Sequence, residues 1–181
     1  QLQFTLELPN ELPTTTQTLP VYIIQARRAH LGALDQARQA AKKLQFSGRE
    51  ESISQTIYRF YHEKTDAVLE MNIITGTFSI NSNLYNDPEL LTLRPPAQDA
   101  AARTVKSYLT NANLLPEDFA AGELAAIFAK NQNGSLVPVI SLSEGQFVRI
   151  DLFRQHYQDL PIVTAYPNRA NVWFVLSGET D

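Results

Sequence analysis

The sequence contains no cysteine, and it has one tryptophan and one methionine among 181 residues. The lack of cysteine excludes disulfide frameworks, thiolate zinc sites and cysteine nucleophiles, while it leaves the redox compartment open. No apolar run approaches the roughly 18–20 residues that a membrane-spanning helix needs, and no signal peptide is visible. The seven glycines stand apart, so the glycine-rich motifs that cradle phosphates are missing. What is left is a globular composition without an evident catalytic motif.

Charge is modest and slightly acidic. The net charge is −4, with 19% charged residues, and no basic run is longer than the pairs Arg27-Arg28 and Lys42-Lys43. Because binding to nucleic acid depends on clustered Lys and Arg, we expect no nucleic-acid partner.

The composition also bears on location. Many Asn, Gln and Thr residues without cysteine are typical of an extracytoplasmic bacterial domain, either in the cell envelope or secreted. The chain begins at Gln1 with an extended pattern and ends just after a strand-like run. We therefore expect a piece of a larger protein whose membrane anchor lies outside this segment.

Two helices are predicted from apolar residues at helical spacing. In the first, Asp35 suits the positive first turn, and Lys42 and Lys43 suit the negative last turn. The second is expected to begin near Pro96, where a missing N–H costs nothing. The apolar stripes comprise Leu34, Ala37, Ala41 and Leu44 in the first helix, and Ala97, Ala101, Val105, Tyr108 and Leu109 in the second.

The stretch "AVLEMNIITGTFSIN" alternates apolar and polar residues on both sides of Gly76. Such alternation predicts two half-buried strands. Glycine adopts positive φ readily, so we interpret Gly76 as the turn of a β-hairpin rather than as part of a functional loop.

Further strands are predicted in the second half. They lie in "ELAAIFAK", "LVPVISL", "QFVRIDLF", "PIVTAY" and "NVWFVLSG". Pro138 cannot donate to a strand ladder and so predicts a sheet edge or a bulge.

The two halves resemble each other. The helices align at Asp35 with Asp99 and Leu44 with Tyr108, and Gly76 aligns with Gly145. We predict an α+β fold of two related helix-plus-antiparallel-sheet (α-β-β-β) units packed together. The expected divisions are an extended N-terminal segment or linker at 1–25, a first unit at 26–94 and a second at 95–181.

The order helix, strand, strand with "L-x-x-N-x-x-T-G-x-x-x-I" resembles the PepSY-like, cystatin-like repeat. These positions are Leu69, Asn72, Thr75, Gly76 and Ile80. The tandem arrangement, over Leu34 to Phe153, is similar to the extracytoplasmic YycH/YycI-type accessory proteins that modulate a membrane sensor kinase. The second copy departs from the pattern, with Leu142 and Glu144 near the Asn and Thr places. The resemblance implies protein contact and regulation, or inhibition as in propeptide relatives, rather than catalysis.

No catalytic, cofactor-binding or metal-binding residues are predicted. His30 and His156 have no histidine or carboxylate at i, i+4, and His62, which has Asp66 at that spacing, lies in the polar turn "YHEKTD", where a solvated residue is expected. No serine lies in a G-x-S-x-G or S-x-x-K motif. Aromatic residues near the end of the chain are the remaining candidates. We predict Tyr166, Trp173 and Phe174 as protein-contact residues, because apolar residues occupy both faces of "NVWFVLSG".

The sequence thus favours a non-catalytic, extracytoplasmic protein-interaction or regulatory module, with a protein partner and no cofactor. Exposed sheet edges could recruit a partner strand. One alternative is a ligand-binding domain with a pocket between helix and sheet. The other is a hydrolase with a dispersed site formed by His156, Asp159 and Asp151.

Overall fold

The computed structural model describes residues 30–84, 87–158, 160–166 and 169–178. The predicted extended N-terminal segment, residues 1–25, lies outside these ranges.

The described chain forms four helices and two four-stranded antiparallel sheets, so the α+β prediction is confirmed. The first unit consists of α1 (Ala33–Lys43), β1 (Glu50–Ser52), β2 (Ile57–Tyr61), β3 (Val68–Asn72) and β4 (Phe78–Asn81). The remaining elements are α2 (Pro88–Thr92), α3 (Gln98–Asn111), α4 (Glu117–Ala120), β5 (Leu124–Gln132), β6 (Ser135–Val139), β7 (Phe147–Leu152) and β8 (Val172–Leu176). One sheet has the order β1-β2-β3-β4 and the other β6-β5-β7-β8.

Two local predictions need correction, and one short helix was not predicted. The predicted strand "PIVTAY" is not a strand, and its neighbourhood has only an isolated bridge between Tyr157 and Leu160. The segment after β4 contains the unpredicted short helix α2, whose first turn is capped by the Asp87 side chain, which accepts hydrogen bonds from the backbone N–H groups of Glu89 and Leu90. Helix α3 begins at Gln98, two residues after Pro96.

Both long helices end in the same hydrogen-bonded motif. After α1, Gln45 has φ 71°, and the N–H of Phe46 donates to the carbonyl of Ala41 at 2.8 Å. After α3, Asn113 has φ 57°, and the N–H of Leu114 donates to the carbonyl of Leu109 at 2.8 Å. These are Schellman motifs, in which a left-handed residue turns the chain back and satisfies the last carbonyls.

The shared motif fixes how the two units correspond. Ala41 and Leu109 hold the same place in it, which gives an offset of 68 positions (41 to 109). The sequence alignment used 64 at the helices, and the difference is about one helical turn. A one-turn slip keeps the apolar stripe in phase, so periodicity alone could not detect it. At an offset of 68 the buried positions match as Ala33 with Ala101, Ala37 with Val105, and Leu44 with Ala112.

The strands correspond through their register. One core row of the first sheet is Phe60–Leu69–Ile80, and the second sheet has Phe128–Val148–Leu176. The next row is Tyr58–Met71–Phe78, matched by Ala126–Ile150–Phe174. Strands β2, β3 and β4 therefore correspond to β5, β7 and β8, and each unit is a helix followed by a three-stranded meander.

The outermost strand makes four in each sheet rather than the three predicted. Strand β1 pairs with β2 and precedes it in the chain, whereas β6 pairs with β5 and follows it. Because β6 intervenes, Gly145 precedes the central strand β7 and does not correspond to Gly76, which precedes the edge strand β4. Gly76 has φ 73° and lies in the β3–β4 hairpin, whereas Gly145 lies in the connection from β6 to β7, against the Phe128 side chain. The alignment of these two glycines was therefore wrong.

The two cores meet at equivalent residues. Phe78 and Leu114 pack against both cores. The rings of Phe78 and Phe174, which hold the same place in β4 and β8, lie 6.4 Å apart between centroids. The Tyr108 hydroxyl donates to the carbonyl of Leu44 at 3.1 Å, and burial raises the pKa of Tyr108. A second hydrogen bond runs from the Gln146 side chain to the carbonyl of Leu91 at 3.3 Å. Aromatic contacts and these hydrogen bonds thus pack the two units together.

A charged contact ties α1 to its sheet. The Arg38 guanidinium donates to Glu50 at 2.7 Å and to Asp35 at 3.0 Å. Its hydrogen bond to Glu50 holds the pKa of that carboxyl below its usual value. Strand β1 is therefore anchored to the helix by a salt bridge at its first residue.

Replacing Gln45 with glycine should stabilise the protein. The left-handed conformation at Gln45 costs an L-residue about 1 kcal/mol, and glycine avoids that cost. We expect Gln45→Gly to raise the free energy of unfolding in urea by about 0.5–1 kcal/mol. The matched control is Gln39→Gly at an exposed position inside α1, which should lower it by about 1 kcal/mol. A loss of stability in Gln45→Gly would contradict the Schellman assignment.

Candidate functional site

The Asn, Thr and Gly of the pattern that resembles the PepSY-like repeat lie at the turn of the hairpin between β3 and β4, and their role there is structural. The Asn72 side chain accepts hydrogen bonds from the N–H groups of Ile74 and Thr75, at 2.9 and 3.1 Å. The Thr75 hydroxyl accepts one from the Thr77 N–H at 3.2 Å. Side chains of Asn and Thr commonly stabilise turns in this way. Asn72, Thr75 and Gly76 thus form a tight turn, and the interpretation of Gly76 as the turn of a β-hairpin is confirmed.

The second unit replaces this tight turn with a long connection. Between β3 and β4 there are five residues, 73–77, whereas the corresponding strands β7 and β8 are joined by nineteen residues, 153–171. Connections longer than about 12–15 residues without secondary structure are uncommon in compact domains, and they are usually either functional loops or linker segments. We call residues 153–171 the β7–β8 connection.

The β7–β8 connection exposes an unusual amount of apolar surface. Ten large hydrophobic residues are exposed in the described part of the chain, and five of them lie in this connection. They are Tyr157, Leu160, Ile162, Val163 and Tyr166. A concentration of exposed apolar residues in one segment is typical of a contact surface.

The connection also forms a cleft of about 120 Å³. Its base is formed by Glu123, just before β5, and by the first residues of the connection. Its wall is formed by the apolar residues that follow Leu160. We call it the connection cleft. It is lined by Glu123, Phe153, Arg154, His156, Pro161, Ile162, Val163 and Arg169.

Gly122 allows the base of this cleft to form. The N–H of Phe153 donates to the carbonyl of Glu123 at 3.0 Å, and the N–H of Gln155 donates to the carbonyl of Asp118 at 2.8 Å. These bonds bring the connection against the end of α4 so closely that a Cβ on Gly122 would overlap the Phe153 carbonyl oxygen. Only glycine fits between the two backbones.

Aromatic rings hold the two arginines of the cleft. Arg154 forms an ion pair with Asp118 and lies 4.7 Å from the centroid of the Phe119 ring. Arg169 lies 4.7 Å from the centroid of the Tyr166 ring. Guanidinium groups are attracted to aromatic faces at this distance. The cleft therefore has two positively charged groups whose positions are supported by packing.

Some donors of the cleft are unused. Among the described residues, neither the Arg169 guanidinium nor the His156 ring has a hydrogen-bond or ion-pair partner. Arg154 uses one N–H for Asp118, out of the five that a guanidinium has. The cleft is thus suited to an acceptor group, above all an anion.

The predicted contact residues fall in different environments. Tyr166 is 64% exposed and belongs to the β7–β8 connection. Trp173 is 54% exposed and lies on the outer face of β8, where Arg149 approaches its ring at 5.0 Å from the centroid. Phe174 points to the opposite face and packs against Phe78 and Tyr108 in the core. Tyr166 and Trp173 are therefore accessible, while Phe174 serves the core.

The residues suggested for a hydrolase are not brought together where they are described. The Asp151 carboxylate is buried and accepts a hydrogen bond from Arg149 at 2.8 Å, whereas His156 lines the connection cleft without a bond to it. Asp159 lies outside the described residues. Within the described ranges no group of three His, Asp or Glu side chains could hold a metal ion.

The pocket expected between helix and sheet is filled by side chains in the first unit. Leu44 of the α1 end, Leu69 and Met71 are each less than 5% exposed and pack together. A second, shallow depression lies on the outside of α3, beside Arg103 and Tyr108. The connection cleft is thus the more enclosed of the two.

Sequence reasoning missed Gly122, Arg154 and Arg169. Arg154 and Arg169 are fifteen positions apart, and only the path of the connection brings both to one cleft. A usable clue was present in the run from Leu160 to Val163, whose apolar residues follow one another without strand alternation and include a proline. Such a run is typical of an exposed loop rather than of a paired strand.

No family model, curated protein or solved structure matches this chain. The similarity to the PepSY-like repeat therefore stays a prediction. In the part of the chain that the structure describes, none of the helices has the length and apolar character needed to cross a bilayer.

Replacing Gly122 with alanine should disrupt the connection cleft. The new Cβ would push Phe153 away from α4, and overpacking of this kind costs about 1–3 kcal/mol. We expect urea unfolding to show this loss, and NMR spectra to show shifted amides at 153–155. The control is Ala121→Ser at the exposed neighbouring position, which should change stability by less than about 0.5 kcal/mol. Equal stability of Gly122→Ala and the parent would be evidence against the close approach.

Proposed function

We propose that this chain is a non-catalytic protein-interaction module of a larger regulatory protein, and that it contacts its partner through the β7–β8 connection. The observation that supports this most is the placement of half of the exposed large apolar residues in one connection. The partner is a protein chain that presents an apolar surface with acidic groups, because Arg154, Arg169 and His156 line the cleft beside those residues.

Two of the four edge strands, β1 and β6, are poorly suited to recruiting a partner strand. Strand β1 has only three residues and carries Glu50 and Glu51. In β6, Pro138 lies opposite Ala129 and removes one backbone donor, and the position of β6 at the sheet edge agrees with the prediction made for this proline. Short, charged and proline-containing edges discourage strand addition. The other two edge strands, β4 and β8, carry neither charge nor proline, so it is the concentration of exposed apolar residues in the β7–β8 connection that favours a surface contact there.

The outer sheet faces support a role for the second unit in particular. On the first sheet the outer face carries the cross-strand ion pair Arg59–Glu70, at 2.9 Å, next to polar residues of β4. On the second sheet Ile127 and Trp173 are exposed on the corresponding face. Trp173 is two residues from the β7–β8 connection, so it extends the contact surface along β8.

We place this module outside the cytoplasm, in a protein anchored to the membrane by a segment beyond this chain. The support is compositional: the sequence lacks cysteine and is rich in Asn, Gln and Thr. The similarity to YycH/YycI-type accessory proteins agrees with the same location and with regulation of a membrane protein.

Substitution of Val163 tests the proposed contact surface. A photo-crosslinking amino acid at position 163 should capture a specific protein in the cells that produce the chain. Once that protein is purified, Val163→Asp should weaken its binding at least about tenfold, because a charge would be buried in the apolar contact.

The control for this experiment is Ile53→Asp. Ile53 is 42% exposed and Val163 is 56% exposed, but Ile53 lies beside β1 in the first unit. This variant should bind the purified partner with unchanged affinity. The proposal fails if no protein crosslinks at 163 above the level at 53, or if the purified protein binds Val163→Asp as tightly as the parent.

Fractionation of the full-length gene product tests the location. We expect it to sediment with membranes and to be digested by protease added to intact spheroplasts, because the module would face outward. A cytoplasmic marker protein in the same sample should resist digestion. Protection of the module until the cells are lysed would rule out the extracytoplasmic location.

A further inference from the structure

The connection cleft has the size of one small acidic group. Its volume of about 120 Å³ is of the same order as that of engineered protein cavities of about 150 Å³, which hold one small molecule such as benzene. A propionate-sized group, which is the side chain of glutamate, has five heavy atoms and fits within this space. A nucleotide is too large.

The charges of the cleft favour a single negative charge. Arg154 and Arg169 line it together with one carboxylate, Glu123. Since Asp118 partly neutralises Arg154, the free positive charge comes mainly from Arg169. A carboxylate carries one negative charge, whereas a phosphate carries between one and two near neutral pH and would be repelled more strongly by Glu123. The cleft is therefore better matched to a carboxylate than to a phosphate.

The packing of the arginine side chains reduces the conformational entropy that is lost on binding. Each guanidinium is stacked on a ring, Arg154 on Phe119 and Arg169 on Tyr166, both at 4.7 Å from the centroid. Side chains that are already held in place lose less conformational freedom when they bind. Planar guanidinium groups also match the two oxygens of a carboxylate.

The opposite wall of the cleft is aliphatic. Pro161, Ile162 and Val163 line it, and Val163 belongs to the exposed apolar surface of the connection. The methylene groups of an acidic side chain could pack against this wall while the carboxylate reaches the arginines. A partner residue with an acidic side chain next to aliphatic neighbours would use both features at once.

We infer that the connection cleft binds the carboxylate of an aspartate or glutamate side chain that the partner protein inserts between Arg154, Arg169 and the Pro161–Val163 wall. This inference rests on the proposed function, because it names the chemistry by which the same surface recognises its partner.

A titration with small probes tests the cleft directly. Sodium propionate added to the ¹⁵N-labelled chain should shift the amides of Glu123, Phe153–His156 and Arg169, with a millimolar dissociation constant. Propionamide, the uncharged isostere, and inorganic phosphate at equal ionic strength should shift them far less. Equal shifts with propionate and propionamide, or none with propionate, would overturn the inference.

Arg169→Gln provides the matched variant. It removes the unpaired charge while keeping an exposed polar side chain, and it should raise the dissociation constant for propionate about tenfold, the usual loss for a hydrogen bond to a charged group. Arg103→Gln, beside the shallow depression on α3, should leave that constant unchanged. Unchanged propionate binding in Arg169→Gln, with a parent-like spectrum elsewhere, would also overturn the inference.

The crosslinked partner separates this inference from the proposed function. Replacing the partner's acidic residue with its amide should weaken binding, and Arg169→Gln should then add little further loss, as a double-mutant cycle measures. If Val163→Asp weakens partner binding but propionate leaves the cleft amides unmoved, the interaction module stands and the carboxylate site falls. If propionate binds while Val163→Asp leaves partner binding unchanged, the proposed function is rejected. The cleft would then bind carboxylates, but the partner protein would not be the molecule that supplies them.

Discussion

The structure depends on the packing of one apolar helix face against a three-stranded meander, and it does so in both units. In α1 the buried positions are all alanine, including Ala37, Ala40 and Ala41, so Phe60 and Met71 of the sheet can approach the helix closely. In α3 the buried residues are larger, as at Val105 and Leu109, and the facing strand β7 supplies Val148 and Ile150. Because interiors are close-packed, helix and sheet residues must complement each other in size. Each unit meets this requirement with a different combination of large and small side chains.

The same frame leaves different parts of each unit free to vary. The ends of the helices and the core rows of the sheets are matched between the units, because a change there would disturb buried contacts. The connection between the last two strands lies mostly outside the cores, with Ile73 of the first unit packing against its edge. In the first unit it is closed by Asn72, Thr75 and Gly76, whereas in the second it is expanded to nineteen residues. A scaffold with a rigid core and one variable connection is a common way to present a binding surface.

The connection is positioned by contacts outside itself. The backbone bonds of Phe153 and Gln155 to the α4 region fix its first residues, and the pair formed by Asp118 and Arg154 continues that attachment. At its other end the connection leads into β8, whose Phe174 packs against Phe78 of the first unit. Both ends of the connection are thus anchored in packed structure, which allows exposed apolar residues between them to keep a defined arrangement.

Periodicity determined the fold class, the first helix, the β3–β4 hairpin and the exposure of one face of β8, because burial repeats every 3.6 residues in a helix and every two in a strand. It could not determine the helix alignment, since a slip of about one turn preserves the stripe, and it could not tell which strands pair. Only the tertiary structure decided that β7 lies beside β5, and therefore that residues 153–171 take the place of the tight turn 73–77. The cleft likewise depends on the approach of Arg154 and Arg169, which are separated along the chain and meet through backbone contacts that Gly122 permits. Local sequence specifies local geometry, whereas a site assembled from distant residues is specified by the packing that brings them together.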